Sequence, residues 1–185
     1  LAETPRAKVT YLLADLSSQG QVRKLGSEIS EWITAQGFGK LDVLVNNAGM
    51  ITNWYTATED GYETTFAVNH LAPFLLTHEL MPLLEAAPAA RVVTVSSFSH
   101  RKTRMHWRDV MMRRRFNTLF AYQQSKLGNV FFSTEFNRRF AKTTPMRAYA
   151  IDPGLVNTDI GLKGTGGIVS WFWGRRQQKG VTPEK

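Results

Sequence analysis

Short apolar runs recur along the chain, and between them lie longer segments in which apolar residues return with helical spacing. The short runs are rich in branched and aromatic residues, which favour extended strands. The longer segments place their apolar residues on one side of a helix. The pattern predicts four buried strands, over residues 7–14, 41–45, 91–95 and 146–151.

Three of the intervening segments are predicted to be helices. The first begins at a capping box formed by Ser18 and Gln21 and ends at Gly37. A second capping box, at residues 56 and 59, opens a helical pattern that continues to about residue 85. The third helix is long and amphipathic, from about residue 117 to residue 142.

Strands and helices alternate throughout this pattern. Such alternation requires crossover connections and therefore parallel strands. The predicted fold is an α/β domain with a doubly wound parallel sheet, whose ligand chemistry lies beyond the carboxyl ends of the strands. Residues 1–185 are predicted to form one such domain, with a basic insert at 101–116 and a lid segment on the ligand side at 161–180.

Composition narrows the range of functions. The 185 residues include no cysteine, which excludes disulfides, thiol catalysis and cysteine-ligated metals. No histidine has a partner at metal-ligand spacing, so no metal site is predicted. The chain begins with Leu1 instead of methionine and has no secretory signal, which predicts a piece of a longer intracellular, cytoplasmic protein.

The net charge of +8 is concentrated in one segment. Residues 101–115 hold seven lysines and arginines and one aspartate, so their local net charge is +6 and the rest of the chain contributes +2. Because the charge is confined and no recognition motif accompanies it, nucleic acid is not a predicted partner. The segment is interpreted as a solvated loop beside the site, with contact to a membrane surface as the alternative.

Polar and glycine residues follow the strands at the edge where a parallel sheet builds its site. These residues are Asn46–Gly49, Ser97, Pro153, Gly154 and Thr158. Tyr122 and Lys126 lie four residues apart, on one face of the long helix. Each signal alone has an ordinary interpretation as a turn or a solvated helix face. Their agreement at one edge of the sheet is difficult to obtain by chance.

With these residues, the sequence resembles the short-chain dehydrogenases/reductases over essentially its whole length. The matching motifs are N-N-A-G at 46–49, V-N-H at 68–70, V-S-S at 95–97, Y-x-x-x-K at 122–126 and D-P-G-x-V-x-T at 152–158. Within this family the sequence is most similar to the retinol-dehydrogenase-like branch. The similarity rests on the segment V-N-H-L-A-P-F-L-L-T at 68–77 and on the long interval from Ser97 to Tyr122. The resemblance implies a Rossmann-like fold and an oxidoreductase that interconverts an alcohol and a carbonyl. It also implies NAD or NADP as cofactor and a lipophilic small molecule as substrate.

The resemblance implies a role for each motif residue. Tyr122 would exchange a proton with the substrate oxygen, and Ser97 would hydrogen-bond that oxygen. Lys126 would hold the nicotinamide ribose and lower the pKa of Tyr122, and Asn69 would position a water in the proton relay. The implied cofactor contacts are Asp15 at the adenine, Asn47, Ala48 and Gly49 on the adenosine side, and Pro153, Gly154 and Thr158 beside the nicotinamide.

The role implied for Tyr122 sets an energetic demand. A free tyrosine titrates near pH ~10, so general-base work near neutrality needs a pKa about 3 units lower. That difference corresponds to roughly 4 kcal/mol of preferential phenolate stabilisation. Lys126 and an oxidised nicotinamide both carry the positive charge that this requires.

Pro73 lies inside the helical pattern that ends near residue 85. A proline has no N–H to give to the carbonyl four residues earlier, and here that carbonyl belongs to Asn69. We therefore expect the Asn69 carbonyl to be free to hold a water of the proton relay. A merely tolerated kink is the alternative.

Two features depart from the family pattern. No glycine-rich turn follows the first predicted strand, where such a fold holds the cofactor pyrophosphate. The glycines of 161–167 come after the last strand and are interpreted as a hinge. The family's sheet order places two further strands between those at 7–14 and 41–45, so the domain is expected to be incomplete at both ends. A non-catalytic truncated relative that acts through interaction is the alternative function, and a homodimer is left open.

Overall fold

The centre of the fold is a parallel sheet of three strands. The computed structural model describes residues 8–154, so Thr158, the glycines of 161–167 and the lid segment of 161–180 lie outside the described residues. The strands are β1 (Val43–Asn46), β2 (Arg91–Val95) and β3 (Arg147–Ile151). They pair in the order β1-β2-β3, with Val43 opposite Arg91 and Arg91 opposite Arg147. The predicted parallel α/β fold is confirmed.

The prediction of a first strand at residues 7–14 is wrong for residues 8–14, the part of it that the structure describes. Residues 8–14 follow an irregular path, and Tyr11 and Leu13 are 84% and 86% exposed. A strand needs the backbone groups of a neighbour, and within residues 8–154 this segment pairs with none. The apolar run therefore has strand character without a sheet to join.

Helix α1 (Gln19–Ala35) begins where the capping box predicted it. The Ser18 hydroxyl accepts a hydrogen bond from the Gln21 amide at 3.3 Å. The Gln21 side chain does not complete the box, because its oxygen accepts from the amide of Asp15 at 2.9 Å instead. Gly37, with φ of 76°, takes the left-handed conformation that follows many helix ends.

The second helical segment starts later than its predicted capping box and is interrupted. Residue 57 forms an isolated antiparallel bridge with Glu63, and the Glu63 carboxylate caps the helix by accepting from the amides of Thr65 and Phe66 at 2.8 Å each. The acidic cap at 63, and not the threonine at 56, therefore fixes the start. The segment comprises α2 (Thr64–Phe66), a π-helical turn (Ala67–Leu71), α3 (Ala72–Glu79) and α4 (Met81–Glu85).

The long helix α5 (Thr118–Phe140) matches its prediction closely. Asn117 caps it by accepting from the amide of Phe120 at 2.9 Å. Apolar residues of α3, α4 and α5 pack on one face of the sheet around Leu80 and Leu84, which are fully buried. Burial of such side chains supplies the main driving force of the fold.

The opposite face of the sheet is open within the described residues. Val43, Val45, Tyr149 and Ile151 point away from the helices and are 40–57% exposed. A doubly wound domain carries helices on both faces. Residues 8–154 thus supply the three strands and one of the two helical layers.

Candidate functional site

Tyr122 and Ser97 meet at the carboxyl end of β2. Ser97 is the second residue after β2, and Tyr122 lies in the second turn of α5, where it is 7% exposed. Burial raises the pKa of the Tyr122 phenol, and a hydrogen bond with the Ser97 side chain opposes that effect. The two hydroxyl groups predicted to face one substrate oxygen are therefore within hydrogen-bonding distance of each other.

Lys126 stands beside this pair. Its ammonium lies 5.6 Å from the centre of the Tyr122 ring and donates to the Val95 carbonyl at 3.0 Å. The side chain is almost fully buried, and burial lowers the pKa of Lys126 to about 8. The expected depression of the Tyr122 pKa is not found in the chain alone, because loss of hydration outweighs the other influences.

The buried ammonium predicts an unusual pH dependence of stability. Between pH 8 and pH 10.5 the unfolded chain binds a proton at Lys126 that the folded chain has released, so the free energy of unfolding should increase with pH. Urea titrations at pH 8 and about pH 9.5 should differ by about 2 kcal/mol. The Lys126→Met variant should lose this increase, and an equal increase in that variant would contradict the assignment.

Asn69 is buried in the π-helical turn and holds the loop that follows β1. Its side-chain oxygen accepts from the Met50 amide at 2.7 Å, and its amide donates to the Met50 carbonyl at 2.9 Å and to the Ser125 hydroxyl at 3.0 Å. The loop of Asn47–Gly49 is thereby tied to α5. The water-positioning role implied for Asn69 stays a prediction.

The backbone carbonyl of Asn69 has a protein partner. As expected from Pro73, it receives no helical hydrogen bond from residue 73, but the Asn129 amide donates to it at 3.0 Å. The same amide donates to the Val95 carbonyl at 3.2 Å. The Asn69 carbonyl thus has a donor in Asn129, which also bridges to β2, and its role as the holder of a relay water stays a prediction.

Asn129 was missed by the sequence reasoning, although it follows Lys126 by three residues and so shares its helix face. Its side-chain oxygen contacts Nδ1 of His70 at 3.0 Å, and burial lowers the pKa of His70. The close approach requires Gly128, because a Cβ there would lie 2.9 Å from the His70 ring. Asn129 therefore connects α5, β2 and the π-helical turn.

Gln124 fixes the basic insert next to the site. This residue is 1% exposed and lies two positions after Tyr122. Its oxygen accepts from the His106 amide at 2.7 Å, and its nitrogen donates to the Val110 carbonyl at 2.7 Å. A buried side chain that satisfies two backbone groups holds a loop in one conformation.

Removal of this clamp should loosen the insert without changing its charge. In Gln124→Leu both hydrogen bonds to the loop are lost, and at about 1 kcal/mol each we expect trypsin to cleave after Arg108 roughly 10- to 30-fold faster. Mass spectrometry of early fragments measures the rate. Gln123→Leu is the matched control, and equal acceleration in both variants would argue against the clamp.

The predicted cofactor residues after β1 and β3 lie at the carboxyl ends of those strands, with varied exposure. Asn47 and Ala48 are exposed after β1, and Gly49 is half-buried. Pro153 and Gly154 are exposed after β3, where the Gly154 amide donates to Asp152 at 3.1 Å. Asp15 is also exposed, and hydrogen bonds from Ser17 lower the pKa of its carboxyl.

Two absences apply to residues 8–154. No three acidic or histidine side chains gather there in a way that would hold a metal ion. None of the helices in this part of the chain combines the length and the apolar character needed to cross a bilayer.

Comparisons with known proteins agree with this geometry. The family model for short chain dehydrogenases matches residues 1–164. Retinol dehydrogenase 12 from Bos taurus is 37% identical over 163 residues, which cover 86% of this chain and 48% of that protein. The chain therefore spans about half the length of the curated relatives it matches.

Solved structures agree as well. An uncharacterised protein from Mycobacterium paratuberculosis is 35% identical with a TM-score of 0.67, over 96% of this chain and 59% of that one. The RhlG/NADP active-site complex from Pseudomonas aeruginosa is 26% identical with a TM-score of 0.56, over 77% of this chain and 52% of that one. The chain belongs to the short-chain dehydrogenase family, in its retinol-dehydrogenase-like branch.

Proposed function

We propose that this chain carries the proton-transfer site of a nicotinamide-dependent oxidoreductase that interconverts an alcohol and a carbonyl. The observation that carries the proposal is the hydrogen bond between Tyr122 and Ser97 beside the buried ammonium of Lys126. A phenol, a hydroxyl and a cation at one strand end suit removal of a proton from an alcohol. Family membership supports the same reaction class.

Each of the three side chains has a distinct task in this proposal. In alcohol oxidation, the Tyr122 oxygen takes the proton of the substrate hydroxyl, and the Ser97 hydroxyl donates to the substrate oxygen. The Lys126 ammonium favours the phenolate through its charge. Because burial alone raises the pKa of Tyr122, a further positive charge is needed for base catalysis near neutrality.

The described residues suit the binding of only one part of a dinucleotide cofactor. The exposed groups after β1 and β3 leave the carboxyl edge open on both sides of Tyr122 and Ser97, which suits the ribose and nicotinamide end. Within residues 8–154 no glycine-rich turn joins a strand to a helix N-terminus, so these residues supply no pyrophosphate cradle. When bound, the nicotinamide would accept or deliver the hydride, and both NAD and NADP are compatible with the groups present.

A lipophilic alcohol is the proposed substrate class. The relatives that match over most of this chain are named for retinol, which is an apolar primary alcohol.

Transfer of an isotope label tests the reaction. An apolar primary alcohol with deuterium on its carbinol carbon is incubated with the chain and NAD or NADP, and mass spectrometry follows the label. We expect deuterium on the nicotinamide, an aldehyde product and a melting temperature that rises with cofactor concentration. If neither label transfer nor the melting shift occurs, the non-catalytic alternative is favoured.

A further inference from the structure

Ser97 has a second serine as its neighbour. A short 3₁₀ helix (Phe98–Lys102) follows β2, and Ser97 caps its first turn. The side-chain oxygen of Ser97 accepts from the backbone amide of Ser99 at 3.3 Å and from the Ser99 hydroxyl at 3.0 Å. Because a serine oxygen has two lone pairs, Ser99 engages both of them. The Ser97 side chain keeps its own hydrogen, so towards any further group it acts as a donor.

The backbone of Ser97 is held by the same short helix. Its carbonyl accepts from the His100 amide at 3.0 Å and from Nδ1 of the His100 ring at 2.6 Å. A carbonyl has no hydrogen to give, so Nδ1 is the protonated nitrogen of that ring. Ser97, Ser99 and His100 are all half-buried. The orientation of the Ser97 hydroxyl is therefore set by contacts on its backbone and on its oxygen.

This orientation decides which form of Tyr122 the Ser97 hydroxyl favours. A hydroxyl that donates to the phenol oxygen stabilises the phenolate, and one that accepts from it stabilises the neutral phenol. Burial raises the pKa of Tyr122 most strongly, the hydrogen bond with Ser97 lowers it, and the charge of Asp152 raises it further. The lowering is the effect of a Ser97 hydroxyl that donates. The titratable groups that face the two side chains are Lys126, Asp152 and His100.

We propose that Ser99 is a positioning residue of the proton-transfer site, which keeps the Ser97 hydroxyl directed as a donor to the oxygen of Tyr122 or of the substrate. The inference rests on the proposed function of Tyr122 and Ser97. By occupying the acceptor side of the Ser97 oxygen, Ser99 prevents Ser97 from taking the phenol hydrogen. A hydroxyl that receives a hydrogen bond is also polarised into a stronger donor.

The fixed donor selects one orientation of a bound alcohol. During oxidation the substrate hydroxyl must give its hydrogen to the Tyr122 oxygen, while its own oxygen accepts a hydrogen bond. Since Ser97 only donates, the substrate hydroxyl can approach Ser97 only as an acceptor, and its hydrogen is left for the phenolate. Ser99 therefore acts on the chemical step and not on the binding of the cofactor.

Substitution of Ser99 tests the proposal. Ser99→Ala keeps the backbone amide that binds Ser97 and removes the hydroxyl, so the Ser97 hydroxyl is free to turn and accept from the phenol. We expect kcat for alcohol oxidation to fall about 3- to 10-fold, with the KM for the cofactor unchanged. The pKa in the pH profile of kcat should rise by about 0.5–1 unit, because the phenolate loses a donor. Ser99→Thr retains the hydroxyl and should restore both values.

A titration without turnover separates this inference from the proposed function. Ultraviolet difference spectra against Tyr122→Phe report the ionisation of Tyr122 without substrate, and Ser99→Ala should raise its pKa there as well. Ser27→Ala is the matched control, because Ser27 is exposed on α1 and its hydroxyl donates to the Arg23 carbonyl at 3.4 Å. This control should leave kcat, the pH profile and the titration unchanged.

The outcomes distinguish the two ideas. An unchanged titration of Tyr122 in Ser99→Ala, or failure of Ser99→Thr to restore it, would overturn the role of Ser99. Circular dichroism verifies that both variants keep the native fold. If the titration shifts as expected but the unaltered chain oxidises no alcohol, the proposed function fails while the positioning by Ser99 stands.

Discussion

Replacement of Tyr122 by phenylalanine is expected to lower kcat/KM for alcohol oxidation by about 10²- to 10⁴-fold. The ring stays, and with it the packing of a residue that is 7% exposed and the contact with the Lys126 ammonium at 5.6 Å. The hydroxyl that pairs with Ser97 is lost, so the substrate oxygen has no acceptor for its proton. Steady-state kinetics with a saturating cofactor measures the effect.

Tyr149→Phe is the matched control for that measurement. Tyr149 lies on the open face of the sheet, 45% exposed, away from the side on which the helices pack. Its variant should keep full activity, and circular dichroism should report a native fold for both proteins. Activity of Tyr122→Phe within a few-fold of the unaltered chain would remove the proton-transfer role from Tyr122.

Asn69→Ala is expected to lower the free energy of unfolding by about 2–4 kcal/mol. The substitution leaves the amide and carbonyl of Met50 without their partners and removes a donor from the Ser125 hydroxyl. Buried polar groups that lose their partners carry the full cost of desolvation. The loss is a large share of the stability of a small domain, which is about 5–15 kcal/mol. Urea titration followed by fluorescence measures it.

The control for Asn69 is Asn47→Ala, in the loop that Asn69 holds. Asn47 is exposed, so its variant should change the free energy of unfolding by less than about 0.5 kcal/mol. If Asn69 acted only by positioning a water, the two variants would have equal stability. Equal unfolding curves would therefore refute the structural role that the hydrogen bonds indicate.

The sequence correctly predicted the helices and strands that are defined by a local apolar pattern or by a capping residue close to their first residue. The strand at 91–95 and the helix capped at Asn117 agree with their predicted bounds almost to the residue. Tyr122, Ser97 and Lys126 were also predicted to converge, because parallel strands end at one edge and i,i+4 residues share a helix face. Both arguments depend on regular geometry that a short stretch of sequence encodes.

Features that depend on distant partners could not be predicted in this way. The apolar run at 8–14 has strand composition, but a strand exists only where a neighbour pairs with it. The links from Asn129 to His70 and from Gln124 to the insert join residues 59 and 14–18 positions apart. The sequence does not show which backbone group an amide side chain on a helix will bind.

The π-helical turn at Ala67–Leu71 has a consequence for the angular placement of the residues around it. It contains one residue more than an α-helical path would need, and each residue of an α-helix adds about 100° of rotation. Deleting a single residue there would turn everything upstream by that angle while Leu80 and Leu84 stayed anchored in the core. Asn69 would then swing out of line with Met50, and the first loop at the carboxyl edge would lose its tether.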